Sequence, residues 1–145
     1  MRRRQPGAVG LGGAAILFFI TSAGVGCSRT EVGGPPTVPL QGKVVFKKGG
    51  DVKALADRSV MVQFESLDQP GVQAFGTIQE DGSLVVATQV EGLAKPGIVP
   101  GKHRARINAD ENSAHLVAPR FLRYETSGWT VTAPSDKEVI LEVWR

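Results

Sequence analysis

Val72-Gln73-Ala74-Phe75-Gly76-Thr77-Ile78-Gln79, then Glu80-Asp81-Gly82-Ser83, then Leu84-Val85-Val86-Ala87-Thr88-Gln89 is the stretch that decides the fold. Val72, Ala74, Gly76 and Ile78 recur at every second position, and Leu84 and Val86 do the same on the return. Period two is the signature of a strand with one face in a core and the other in water. Between the two runs lies the sharpest turn signal of the chain. Gly82 can take the positive φ of a tight hairpin, and the Asp81 carboxylate can bond the backbone ahead of it. The stretch is therefore expected to form an antiparallel hairpin.

The same period appears on both sides of it. Towards the N-terminus, Arg58 to Glu65 puts Val60, Val62 and Phe64 inward. Leu40 to Lys47 puts Leu40, Gly42, Val44 and Phe46 on one face and Gln41, Lys43 and Lys47 on the other. Lys48-Gly49-Gly50-Asp51 reads as a turn, and Val52 to Asp57 as a loop or a short helical turn. Towards the C-terminus, Val90 to Pro100 carries Gly92, Pro96, Gly97 and Pro100 and reads as a long connection. Lys102 to Ala109 is a strand with His103, Ala105, Ile107 and Ala109 on one side. Asp110 to Ser127 reads as the longest irregular segment. Gly128 to Ala133 and Glu138 to Trp144 close the chain, with Trp129, Val131, Val139, Leu141 and Val143 inward and Pro134-Ser135-Asp136 turning between them. Seven strands and no segment of 3.6-residue period predict an all-β fold, a two-sheet sandwich ahead of a barrel.

Three of these stretches resemble carboxypeptidase regulatory-like, transthyretin-like domains. Leu40-Gln41-Gly42-Lys43-Val44-Val45-Phe46 resembles their first strand, Gly76 to Leu84 their central hairpin, and Val99 to Ile107 their Pro-Gly-containing strand. Arg120-Phe121 and Thr126 to Val131 resemble a late segment of small bacterial lipoproteins that carry this domain. The resemblance spans most of 40–145 and implies a seven-stranded, prealbumin-like sandwich, generally without catalysis. The chain departs from the pattern at His103, where an aromatic residue is usual, at Asp51 to Asp57, which replaces a shorter turn, and at Ala94 to Gly97.

Ahead of this domain the character changes. Arg2-Arg3-Arg4 is a compact basic segment, Val9 to Ile20 is apolar or glycine, and Thr21 to Gly26 is small. That order is a secretory signal, with the arginines held on the cytoplasmic side. Val25-Gly26-Cys27 resembles the end of a lipobox, although Gly24 stands where a leucine is usual. The resemblance implies cleavage before Cys27 and diacylglycerol on its sulfur, with palmitate-like acyl chains holding the protein to a cell membrane or outer membrane. An uncleaved anchor and an ordinary cleaved signal are the other readings; the glycines among the first 26 residues weaken the anchor. The expected organisation is thus a signal over 1–26, a flexible tether rich in Gly and Pro over 27–39, and a sandwich domain over 40–145.

Charge follows the same division. The chain has 17 Lys+Arg against 14 Asp+Glu, but three of the arginines are Arg2, Arg3 and Arg4, and the first 26 residues hold no acid. The remainder balances, which removes the basic footprint that a nucleic-acid partner needs. Cys27 is the sole cysteine, so no disulfide can form within the chain. A domain of about 120 residues can hold together by its core alone.

Chemistry-bearing residues are few. His103 on an apolar face and His115 near Glu111 and Asn112 are the histidines, and no nucleophile, zinc or phosphate-loop motif accompanies them. His103 is expected to bond a backbone carbonyl. Asp51, Asp57, Asp81 and Glu91 match no calcium-loop spacing and read as turn chemistry. Lys102, Arg104 and Arg106 form a row on one sheet face, expected to pair with acids across strands. Arg120, Phe121, Arg123 and Tyr124 mix cations and aromatics on a loop, and Trp144 shares the outward parity of Ile140. No catalytic, cofactor or metal residue is expected. The sequence thus points to a non-catalytic envelope module, its partner a membrane through Cys27 and an envelope protein or polysaccharide. A carbohydrate-binding module using Trp144 and Tyr124, or a small hydrolase using His103 or His115, are the alternatives.

Overall fold

The computed structural model describes residues 33–145. The expected signal over 1–26, the expected lipidation at Cys27 and the first part of the expected tether lie outside the described residues. Eight strands run in the order β1 (Gly42–Lys48), β2 (Met61–Ser66), β3 (Gln73–Ile78), β4 (Leu84–Val90), β5 (Leu93–Pro96), β6 (Gly101–Asn108), β7 (Trp129–Ala133) and β8 (Val139–Trp144). A short helix, α1 (Val52–Asp57), follows β1, and a four-residue helix, α2 (Tyr124–Ser127), precedes β7. The strands form two sheets, a six-stranded one in the order β5-β4-β3-β2-β6-β7 and a parallel pair, β1-β8. The protein is a two-sheet β-sandwich.

The six-stranded sheet is antiparallel throughout. Its inner face comes from the alternation read in the sequence. Val62 and Phe64, Ala74 and Ile78, Leu84 and Val86, Ala105 and Ile107, and Val131 and Ala133 are all buried. Val44, Leu141 and Val143 of the parallel pair meet them across the core. Two strands cannot cover six. Leu40, Leu55 of α1, Val117 and Phe121 fill the flanks of the smaller layer.

The hairpin β3-β4 also carries the joint between the layers. Gln79 N–H donates to Ser83 O and Gly82 N–H to Gln79 O, while Asp81 Oδ1 accepts from Ser83 N–H and Ser83 Oγ. Gly82 has φ +87°, and its carbonyl accepts from Val44 N–H at 2.8 Å. The turn thus reaches across and pins β1.

The structure differs from the sequence expectation in four places. The described residues form eight strands, not seven. The additional one, β5, lies inside the expected connection Val90 to Pro100. It pairs with β4 through a two-residue turn, Glu91 (φ +49°) and Gly92 (φ +81°), the backbone that a tight hairpin needs at both positions. Of the two readings of Val52 to Asp57 the structure takes the helical one, and the strand expected from Arg58 is shortened by it. Asp51 caps it by accepting from Lys53 N–H at 3.0 Å, and Ala54, Leu55 and Ala56 favour it. This helix delays β2 to Met61. The segment Asp110 to Ser127 holds two 3₁₀ turns, Ala114–Leu116 and Pro119–Leu122, as well as α2.

The fourth difference concerns 33–39, expected as tether. Val38 pairs with Ile98 by two backbone bonds of 2.8 and 2.9 Å, Thr37 Oγ1 donates to Pro96 O, and Lys95 Nζ donates to Pro35 O. The chain is therefore bonded to the sandwich beside β5 from Pro35 onward.

Candidate functional surface

The polar residues singled out in the sequence are placed by the strand register. His103 is on β6, opposite Ser66, and is 1% exposed. Its Nε2 lies 2.8 Å from Val99 O. A carbonyl only accepts, so Nε2 carries a proton, and Nδ1 is buried without a partner. No carboxylate is among the hydrogen-bond partners of this ring. His115 is exposed in the first 3₁₀ turn, whereas His103 is buried on β6.

The acids are spent on turns and ion pairs. Asp51 caps α1, and Asp57 and Glu80 both bind Lys53 Nζ, at 2.8 and 3.2 Å. Hydrogen bonds from the Ser83 hydroxyl and backbone hold the Asp81 carboxyl below its ordinary value of 3.8. Asp110 is lowered in the same way by Ser113. Among the described residues no group of three or more His, Cys, Asp or Glu side chains is placed to hold a metal ion.

The expected pairing of the basic row with acids across strands holds at Arg104, whereas Arg106 meets the neutral Gln63 instead. Arg104 Nε donates to Glu65 Oε2 at 2.5 Å, and Glu125 of α2 lies 3.7 Å from its Nη1. Arg106 donates from Nε and Nη2 to Gln63 Oε1, at 2.9 and 2.7 Å, and from Nη1 to Leu122 O. Tyr124 lies over both guanidinium groups, 4.8 and 5.0 Å from its ring centre. Burial pushes its phenol above the ordinary value of 10.0, against the pull of Arg106. Gln63, of outward parity, is buried because this assembly covers it.

The second aromatic group is structural as well. Phe121, 1% exposed, stacks on Trp129 at 5.0 Å and meets the edge of Trp144 at 4.6 Å. Arg120 lies over Phe121 and Trp144. Trp144 and Tyr124 therefore belong to different clusters, each half-buried. Ser127, which no sequence signal marks, ties α2 down by donating to Ala105 O at 2.6 Å.

Register divides the outer face of the large sheet in two. One cross-strand row reads Arg106, Gln63, Phe75, Ala87, Pro96, from β6 to β5. The next reads Asn108, Met61, Thr77, Val85. Charge thus ends at β2. On one side lie the arginines under Tyr124 and α2. On the other, Met61, Phe75, Thr77, Val85, Ala87, Gln89 and Ala94 line an uncharged hollow of about 310 Å³. Val85 is 61% exposed within it, and Leu93, at the β4-β5 turn, is 57% exposed.

No protein-family model, curated protein or solved structure matches this chain.

Proposed function

We propose that this chain is an exported lipoprotein whose β-sandwich acts without catalysis, in a binding or structural role at the cell envelope. The observation that carries the reading is the order of the first 27 residues: Arg2-Arg3-Arg4, an apolar run to Ile20, small residues to Gly26, and then the sole cysteine. A diacylglycerol thioether on Cys27 with a further acyl chain gives two lipid signals, enough for stable membrane attachment. The non-catalytic part of the reading is supported by how the reactive side chains are used. His103 serves the Val99 carbonyl, Asp51 and Asp81 serve turns, and the arginines serve Glu65 and Gln63.

The finer fold reading, a prealbumin-like domain related to the carboxypeptidase regulatory-like family, belongs to the same proposal. It is supported by where the resembling stretches fall: on β1, on the β3-β4 hairpin and on β6. Mass spectrometry of the intact protein extracted from membranes tests the anchor. The expected mass is that of the chain from Cys27 plus acyl groups, and Cys27→Ala moves the protein to the soluble fraction. An unmodified mature chain in the wild type overturns the reading. Crosslinked pull-down from the envelope then identifies the partner.

A further inference from the structure

Arg120 and Arg123 stand three residues apart at the second 3₁₀ turn, Pro119–Leu122, with Arg123 as its C-terminal cap. A 3₁₀ turn repeats every three residues, so positions i and i+3 leave it on the same side. Both arginines line a hollow of about 410 Å³ whose other walls are Pro119, Leu122 and Thr126. Arg120 is held in place by several contacts. Its Nε donates to Thr126 O at 3.1 Å, and Thr126 Oγ1 donates back to Arg120 O at 2.6 Å. Its guanidinium lies 5.7 Å from the ring centre of Phe121 and 5.4 Å from that of Trp144. Those rings pack together with Trp129, so the platform under the charge is rigid.

Neither guanidinium has a counter-charge. Among the described residues no Asp or Glu pairs with either. Glu125, the acid of the adjoining α2, lies instead 3.7 Å from Arg104 Nη1. Arg120 commits only Nε, to Thr126 O, and the Arg123 guanidinium bonds nothing among the described residues. Arg104 and Arg106, by contrast, are spent on Glu65 and Gln63. The hollow therefore presents two neighbouring forks of N–H donors, one of them fixed in orientation before any ligand arrives.

We infer that this hollow binds a phosphate group, in the form of a monoester. A phosphomonoester carries close to two negative charges at neutral pH and three acceptor oxygens, which matches two guanidinium forks in both charge and geometry. A carboxylate or a phosphodiester carries one charge and leaves one arginine uncompensated. Pro119 and Leu122 give the uncharged remainder of an ester an apolar wall to lie against. The same chemistry occurs in a soluble phosphate ester and in a lipid headgroup, so the inference is independent of the lipoprotein reading above.

The test uses the full chain in non-ionic detergent and phosphate-free buffer. Glycerol 3-phosphate is titrated while the arginine Nε–H and tryptophan indole N–H resonances are followed by NMR. Trp144, beneath Arg120, is the built-in reporter. The expected result is saturating shifts at Arg120, Arg123 and Trp144 in about the millimolar range, with acetate and dimethyl phosphate about tenfold weaker. Arg123→Gln removes a side chain that bonds nothing in the fold, and weakens binding about tenfold. Arg120→Lys keeps the charge without the fork and weakens it as well. Repeating the titration in phosphatidylcholine vesicles with and without phosphatidic acid identifies the source. A stronger response to phosphatidic acid than to glycerol 3-phosphate assigns a lipid headgroup, the reverse a soluble ester, and both uphold the site. No saturating shift with any of these anions overturns the inference, as do shifts that persist unchanged in Arg123→Gln. Acetate binding as tightly as glycerol 3-phosphate overturns the phosphate assignment. A chain that lacks acyl groups on Cys27 yet binds glycerol 3-phosphate refutes the anchor reading and upholds this site.

Discussion

Gly82→Ala tests whether the β3-β4 turn clamps the two layers, with Gly92→Ala as its internal control. Both glycines have positive φ, +87° and +81°, where an L-residue is disfavoured by about 1–2 kcal/mol. Both substitutions also stiffen the unfolded chain, which returns about 0.4–1 kcal/mol. A Cβ at Gly92 meets nothing within 4 Å, so Gly92→Ala is expected to destabilise by about 1 kcal/mol. A Cβ at Gly82 would stand 2.4 Å from Val44 O and 3.2 Å from a Val52 methyl. Backbone cannot yield as a flexible side chain can. Relief requires the turn to withdraw from β1, which sacrifices the Val44 N–H to Gly82 O bond, about 1 kcal/mol, and loosens the packing of α1. Gly82→Ala is therefore expected to destabilise by about 2–4 kcal/mol. Urea unfolding followed by tryptophan fluorescence reads the difference, because Trp129 and Trp144 both pack against Phe121 in the core. Equal midpoints and slopes for the two variants would show that the contact with β1 carries no energy, and the clamp would be refuted.

Three further outcomes follow from the same geometry. Long-range proton–nitrogen NMR is expected to find His103 protonated at Nε2, and His103→Leu to destabilise by about 1–3 kcal/mol by orphaning the Val99 carbonyl; a proton on Nδ1 alone would contradict the assigned bond. The depressed Asp81 carboxyl contributes stability that is complete above 3.8 and is lost as pH falls through its lower folded-state value. Ser83→Ala removes the largest cause, so the NMR midpoint of Asp81 should rise towards 3.8, and an unmoved midpoint would refute the role of Ser83. Tyr124→Phe deletes a buried hydroxyl without a partner, so the variant should be at least as stable as the wild type; a loss above about 1 kcal/mol would reveal an unseen bond to that oxygen.

The sandwich was legible because alternation is a local signal. Val62/Phe64, Leu84/Val86 and Ala105/Ile107 declare their face whatever they pair with, and the structure buries all six. Strand β5 escaped because four residues ending in Pro96 give no period to count, and because Glu91 in a left-handed conformation is not a turn residue one expects. Parity places His103 on the inward face, and a backbone carbonyl is the expected partner of such a ring; the structure supplies which one, that of Val99. The two halves of the outer sheet face could not be foreseen. Phe75 and Arg106 are far apart in the chain, and only the register through Gln63 shows that one row passes from charged to uncharged across β2. Cys27, by contrast, is a reading that belongs wholly to the sequence.

The pairing of β1 with β8 joins the two ends of the domain: Val44 lies beside Leu141 and Phe46 beside Val143. A chain that emerges N-terminus first from a ribosome holds β1 without its parallel partner until β8 is free. Completion of the core therefore waits on Trp144. Consolidation of the core is thereby deferred until β8 is free to pair with β1.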